Sequence, residues 1–165
     1  MKAIVIGAGI GGLSAAIALR RAGVEALVFE RTRELKELGA GLSLTANATK
    51  ALNGLGLTDA LRGIGAPIGV AEIRTWRGEV LSRIPAWQLD EKVGARSAAV
   101  HRADLQGALL RELGDEAVRL GAACRGFEQD GEGVRAFFDD GTSGYRESTL
   151  EQFVHALSII ALLHL

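Results

Sequence analysis

The chain has 165 residues, 48% of them hydrophobic, with 19 Lys+Arg against 20 Asp+Glu, a balance that suits one soluble globular domain with a real core. Basic residues are interleaved with acids, so the clustered positive face that a phosphate backbone demands is lacking and nucleic acid is not an expected partner. The single cysteine, Cys124, excludes an internal disulfide framework and a multi-cysteine metal site and suits a reducing, cytoplasmic setting.

Lys2 precedes a largely apolar stretch, Ala3 to Leu19, that resembles a signal peptide until its glycines are noticed: Gly7, Gly9, Gly11 and Gly12 break it, and its period changes partway. No targeting segment is expected. Ala3-Ile4-Val5-Ile6 is a continuously apolar, β-branched run, as in a parallel strand covered on both faces. From Ile10 the spacing turns helical, with Leu13, Ala16 and Ile17 on one face, Arg20 and Arg21 in a last turn and Gly23 as the stop. Ala26-Leu27-Val28-Phe29 is a second strand, ending on Glu30. Strand, glycine turn, helix and strand make a βαβ unit with a right-handed crossover.

The turn itself reads Gly7-Ala8-Gly9-Ile10-Gly11-Gly12, a G-x-G-x-x-G placed between strand and helix. In such a turn the first glycine permits the bend, the second lets backbone approach a pyrophosphate, and the third lets helix and strand pack closely. The helix start then offers N–H groups and the positive end of its dipole to the phosphates. Glu30 stands about 20 residues beyond the glycines, where a carboxylate accepts hydrogen bonds from ribose hydroxyls. That acid favours an unphosphorylated adenosine ribose and leaves NAD and FAD both open.

Further along, Arg31 and Arg33 follow the acid and are candidates to reach adenine or phosphate. Gly39 and Gly41 flank Ala40 in a loop that backbone could bring close to a ligand. The spacing predicts a helix from about Asn47 to Leu55 with Ala48, Ala51, Leu52 and Leu55 on its core face. Pro67 to Pro85 reads as a hairpin around Arg77-Gly78. Trp76 and Trp87 read as packing residues, with an aromatic pocket as the alternative. His101 reads as a core or turn histidine. Arg102 precedes a predicted helix, Ala103 to Leu113, where a guanidinium is poorly placed for the helix dipole unless an anionic ligand offsets it. The other reading pairs it with Asp104 or Glu112. Val118 to Phe127 and Val134 to Phe138 read as strands joined through Asp130-Gly131.

Several of these segments together resemble the flavin-dependent aromatic-ring hydroxylases, the para-hydroxybenzoate hydroxylase-like monooxygenases. They are Glu30-Arg31-Thr32-Arg33, Leu38-Gly39-Ala40-Gly41-Leu42-Ser43-Leu44, Ala46-Asn47-Ala48, and Val100-His101-Arg102-Ala103-Asp104-Leu105 with Leu109-Leu110 after it. The resemblance covers roughly residues 1 to 141. It implies an α/β fold of Rossmann-like FAD/NAD(P)-binding type, with a parallel sheet, a β-meander and the start of a substrate-domain sheet in the 67–87 hairpin. It also implies bound FAD, NAD(P)H as transient reductant and a small aromatic substrate hydroxylated with O2. The cofactor residues it implies are Gly7, Gly9, Gly11, Gly12, Glu30 and Arg102, with backbone near Cys124 on the adenine side, and Arg31 and Gly41 join them as candidates by their positions. No side chain is assigned as catalytic and none as a metal ligand, because the cofactor carries the oxygen chemistry.

Family members continue with a Gly-Ala-Asp-Gly-like motif and a later Gly-Asp motif, and neither occurs here after the meander strands. The expected organisation is therefore an incomplete FAD (ADP-half) binding domain over 1–144, followed by an atypical tail over 145–165. Leu150, Phe153, Val154, Leu157, Ile160, Ala161 and Leu163 fall at helical spacing, and the apolar run is too short to span a bilayer, for which about 20 residues are needed. The tail could close an unfinished sheet, self-associate with a second copy, or be a frameshifted end. Two further readings stand beside the monooxygenase: a catalytically incompetent nucleotide-binding module or partner-dependent half, and an NAD-dependent dehydrogenase that leaves the His101-Arg102 segment unexplained.

Overall fold

The continuously apolar runs of the first two strands suit a sheet with both faces covered. In the computed structural model, which describes residues 2–35, 40–130, 133–139, 145–147 and 154–155, β1 (Lys2–Ile6) and β2 (Glu25–Glu30) pair in parallel from Lys2↔Glu25 to Ile6↔Phe29. Ala3, Val5, Ala26 and Val28 line one buried face. The helix α1 (Ile10–Arg21) packs against both strands and buries Gly12, Leu13, Ala16 and Ile17. Ile4, Ile6, Leu27 and Phe29 face the other way, onto a cluster with Ala122, Ala136 and Phe138. The predicted βαβ unit is therefore present with its strand and helix bounds close to those read from periodicity.

Two short strands flank the pair in parallel, β8 (Val118–Leu120) beside β2 and β12 (Val154–His155) beside β1, giving the order β12-β1-β2-β8. An antiparallel meander of β9 (Cys124–Asp130), β10 (Gly133–Phe138) and β11 (Tyr145–Glu147) follows the order β11-β10-β9. These elements belong to one unit, residues 1–37 with 106–165.

The structure corrects two readings here. Val118 to Phe127 is two strands in two sheets, because Gly121 takes a φ of 74°, a left-handed conformation that breaks the run. Its N–H donates to Thr32 O and the Ala122 N–H to Glu30 O, which ties the break to the end of β2. Within the tail, Val154 and His155 form a strand where spacing predicts a helix. Pairing with the open edge of β1 supplies the hydrogen bonds that local propensity assigned to a helix. The other predicted tail positions, with Gly39 and Gly131, lie outside the described residues.

The second unit spans 38–105. It contains β3 (Gly41–Leu44), α2 (Ala46–Gly54), α3 (Thr58–Ile64), β4 (Ala66–Pro67), β5 (Val70–Arg74), β6 (Val80–Pro85), α4 (Ala86–Val93) and β7 (Ala98–His101). β3, β7 and β4 form an antiparallel sheet. The segment read as a loop at Gly41 is thus a strand. The core face of α2 is Ala46, Thr49 and Leu52, with Ala48, Ala51 and Leu55 only half-buried. β5 and β6 form the expected hairpin, with Glu72 ion-paired to both Arg74 and Arg83. Trp76 is 89% exposed with the Arg77 guanidinium over its ring, and Trp87 is 54% exposed, so neither packs in this chain as the sequence suggested.

The boundary between units falls within α5 (Arg102–Leu113), before Gln106. The C-terminal half of α5 is held to α1. Arg20 donates to Leu113 O, and Arg21 pairs with Glu112 at 3.1 Å.

Candidate cofactor site

At the carboxyl end of β1 the chain must leave the sheet sharply, and Gly7 does so at φ 101°, a conformation that a side chain would strain. Its N–H donates to Phe29 O at 2.8 Å, so the turn remains anchored to β2 while it bends. Ala8 is fully buried. Gly9 is different, because at φ −73° and ψ 176° any residue fits its backbone. What distinguishes Gly9 is space: a Cβ built there meets nothing within 4 Å. The turn presents bare backbone to an open volume.

α1 starts immediately after Gly9. It has no side-chain cap and no acid in its first turn, while Arg20 and Arg21 sit in its last turn. The N–H groups and positive dipole end at Ile10, Gly11 and Gly12 are thus left for an anion. Gly12 is buried against the strands, as close helix packing requires.

Glu30 closes the turn from the end of β2. Its Oε2 accepts the Ala8 N–H at 2.9 Å, and its Oε1 accepts the Thr32 N–H at 2.9 Å and the Thr32 hydroxyl at 3.1 Å. Partial burial pushes the carboxyl pKa up. The Thr32 and Ala8 N–H groups, the Thr32 hydroxyl and the neighbouring Arg31 charge outweigh that, so the net shift is downward. The carboxylate is thus held toward its ionised form and fixed, and Oε2, which accepts a single hydrogen bond, retains room for another donor. Arg31 is exposed beside it.

One residue of this constellation was not read from the sequence. Gln106, in the second turn of α5, donates its Nε2 hydrogen to Ala8 O at 2.7 Å. Its only sequence signal is its place one turn after Arg102.

The first unit thus assembles Gly7, Gly9, Gly11, Gly12, Glu30 and Arg31 at the carboxyl ends of β1 and β2, the location favoured for ligands of parallel sheets. In the same unit the Cys124 side chain packs on the Phe29 cluster, and its Sγ lies 3.5 Å from Gly126 O. Gly41 and Arg102 lie in the second unit. Gly41 pairs with His101 across β3 and β7, and Arg102, exposed at the start of α5, donates its N–H to Ala40 O at 3.4 Å. His101 is exposed rather than buried. Among the described residues no group of three or more His, Cys, Asp or Glu is placed to hold a metal ion, and no helix is long and apolar enough to cross a membrane.

Residues 1–156 match the family described as FAD binding domain. The chain belongs to that family. The resemblance to FAD-dependent aromatic-ring hydroxylases is borne out by relatives. The chain is 40% identical over 144 residues to a FAD-dependent urate hydroxylase of Klebsiella pneumoniae, a match covering 87% of this chain and 38% of that protein. It is also 40% identical over 144 residues to the 3-amino-4-hydroxybenzoate 2-monooxygenase of Streptomyces cremeus, covering 86% of this chain and 36% of the relative. The crystal structure of Klebsiella pneumoniae HpxO complexed with FAD and uric acid superposes with a TM-score of 0.78 at 39% identity, over 87% of this chain and 37% of that one. The chain therefore spans somewhat more than a third of the length of the relatives it matches.

The family's cofactor, FAD, fits the turn. The open volume at Gly9 and the uncapped start of α1 suit its pyrophosphate, and the fixed Glu30 carboxylate suits its ribose.

Proposed function

We propose that this chain binds the ADP half of FAD through the Gly7–Gly12 turn and Glu30, and that it serves an NAD(P)H- and O2-using monooxygenase that hydroxylates an aromatic or similar small ring. The observation that carries this reading is the prearranged turn: an ionised Glu30 braced on Ala8 and Thr32 beside a helix start with no side-chain cap. FAD, when bound, supplies the electron transfer and the oxygen chemistry, while the protein binds, orients and excludes water. The names of the relatives support a planar nitrogen-bearing or phenolic ring as substrate. In this reading Arg102 and Arg31 add positive charge for the phosphates, and Gly41 and backbone at Cys124 approach the cofactor. A cytoplasmic setting, where NAD(P)H is available, completes it. Pairing of β12 with β1 supports a tail that closes its own sheet rather than one that recruits a second copy.

A second reading, a nucleotide-binding half that works with further polypeptide, is favoured by one observation. The β5–β6 hairpin leaves Ile73, Leu81 and Ile84 more than half exposed, at 61%, 67% and 57%.

Purifying the chain, recording its visible spectrum and titrating it with ADP, FAD and NADH separates these readings. A retained yellow flavin supports the first reading, and a colourless protein that binds ADP supports the second. Binding of NADH in preference to ADP and FAD, or no nucleotide binding, overturns both.

A further inference from the structure

Both peptide groups of Ala8 are gripped by side chains from distant parts of the chain. The N–H donates to Glu30, 22 residues away, and the carbonyl accepts from Gln106, 98 residues away. A peptide is planar and trans, so the C=O of one residue and the N–H of the next point in opposite directions. Fixing Ala8 O with Gln106 therefore fixes the direction of the Gly9 N–H, which belongs to the residue whose open side faces the candidate pyrophosphate position. The same logic links the Glu30 bond on the Ala8 N–H to the direction of Gly7 C=O.

We infer that Gln106 is a positioning residue for the phosphate-binding turn: by holding Ala8 O it aims the Gly9 N–H before the cofactor arrives. This rests on the nucleotide reading of the turn given above. Gln106 reaches this position because α5 is tied to α1 at its far end through Arg20 with Leu113 O and Arg21 with Glu112. Holding a donor in its binding direction ahead of time spares the ligand the ordering cost, which is how preorganisation raises affinity. The Glu30 bond holds the Gly7–Ala8 peptide and the Gln106 bond the Ala8–Gly9 peptide, so each of the two is held separately.

The test compares ligands that do and do not use the turn. Gln106→Met keeps the length of the side chain and removes the donor, and Gln106→Glu keeps the shape and leaves only an acceptor at neutral pH. Binding of ADP, inorganic pyrophosphate and adenosine to the full chain is measured by calorimetry, with far-UV circular dichroism to establish folding. Both variants are expected to bind ADP and pyrophosphate about 3- to 10-fold more weakly, the scale of one lost hydrogen bond, and adenosine unchanged. Unchanged ADP affinity, or an equal loss for adenosine, overturns the positioning role. If both variants fail to fold, Gln106 serves the fold and the inference is overturned. If the unaltered chain binds no ADP, the nucleotide reading falls and takes this inference with it.

Discussion

Phe29, one residue before Glu30, stacks on Phe138 of the meander with ring centroids 4.4 Å apart and an interplanar angle of 19°. The same residue's carbonyl holds the Gly7 N–H. The glycine turn is thus tied, through Phe29, to an aromatic pair in the core of the unit. Phe138→Ala is expected to cost about 3 kcal/mol or more of stability, the scale for truncating a buried phenylalanine. Urea denaturation measures it, and a loss below about 1 kcal/mol would mean that the stack does not support β2.

Gly9→Val and Gly7→Ala should separate binding from folding. The backbone at Gly9 tolerates any residue and its Cβ direction is empty, so Gly9→Val should leave the melting curve within about 0.5 kcal/mol of the parent and abolish ADP binding. Gly7→Ala places a Cβ at φ 101° and should destabilise by about 1–2 kcal/mol. Retained ADP affinity in Gly9→Val would refute the phosphate role of the turn.

Stability should depend on pH through Glu30. Its folded pKa lies below the ordinary carboxylate value, so its contribution is complete above the unfolded pKa and is lost as pH falls through the lowered folded one. Urea midpoints followed downward from pH 6 should fall across that acid window, and Glu30→Gln should flatten part of the decline. An identical slope in the variant would contradict the assignment of these hydrogen bonds.

Both tryptophans should report solvent in the folded state. Trp76 is 89% exposed and Trp87 54% exposed. Fluorescence emission near the water-exposed limit, quenched by acrylamide with little protection, is the expected result. A blue-shifted, protected signal would show that something covers the β5–β6 hairpin in solution.

Gly121→Ala should weaken the junction between the parallel sheet and the meander. The φ of 74° strains any side chain, while the added methyl itself would meet Arg33 Cγ only at an ordinary contact distance of 3.5 Å. A loss of about 1–2 kcal/mol is expected in thermal melts, and no loss would show that the left-handed turn is not needed there.

The βαβ unit was legible because three local signals coincide in it: a β-branched run, a glycine turn with a positional requirement, and a helical stripe ending in Arg20, Arg21 and Gly23. Glu30 was legible as an acid at the right remove, but its grip on Ala8 was not, since no local pattern encodes a bond to backbone 22 residues away. Gln106 was invisible for the same reason at greater range. The short elements of the second unit, α3 and α4 among them, carry too few periodic positions to stand out from loops. The strand–strand break at Gly121 was hidden because residues on both sides favour strands. The pairing of Val154 and His155 with β1 depends on an open sheet edge that only the assembled fold supplies.

That pairing has a consequence for how the protein is made. Val5 and Ile6 take Val154 and His155 as partners, so the outer edge of β1 closes only when a segment far along the chain reaches it. Contacts so distant along the chain form slowly and leave an unsatisfied edge in the meantime. Until then β1 carries unpaired N–H and C=O groups of the kind on which another strand can add.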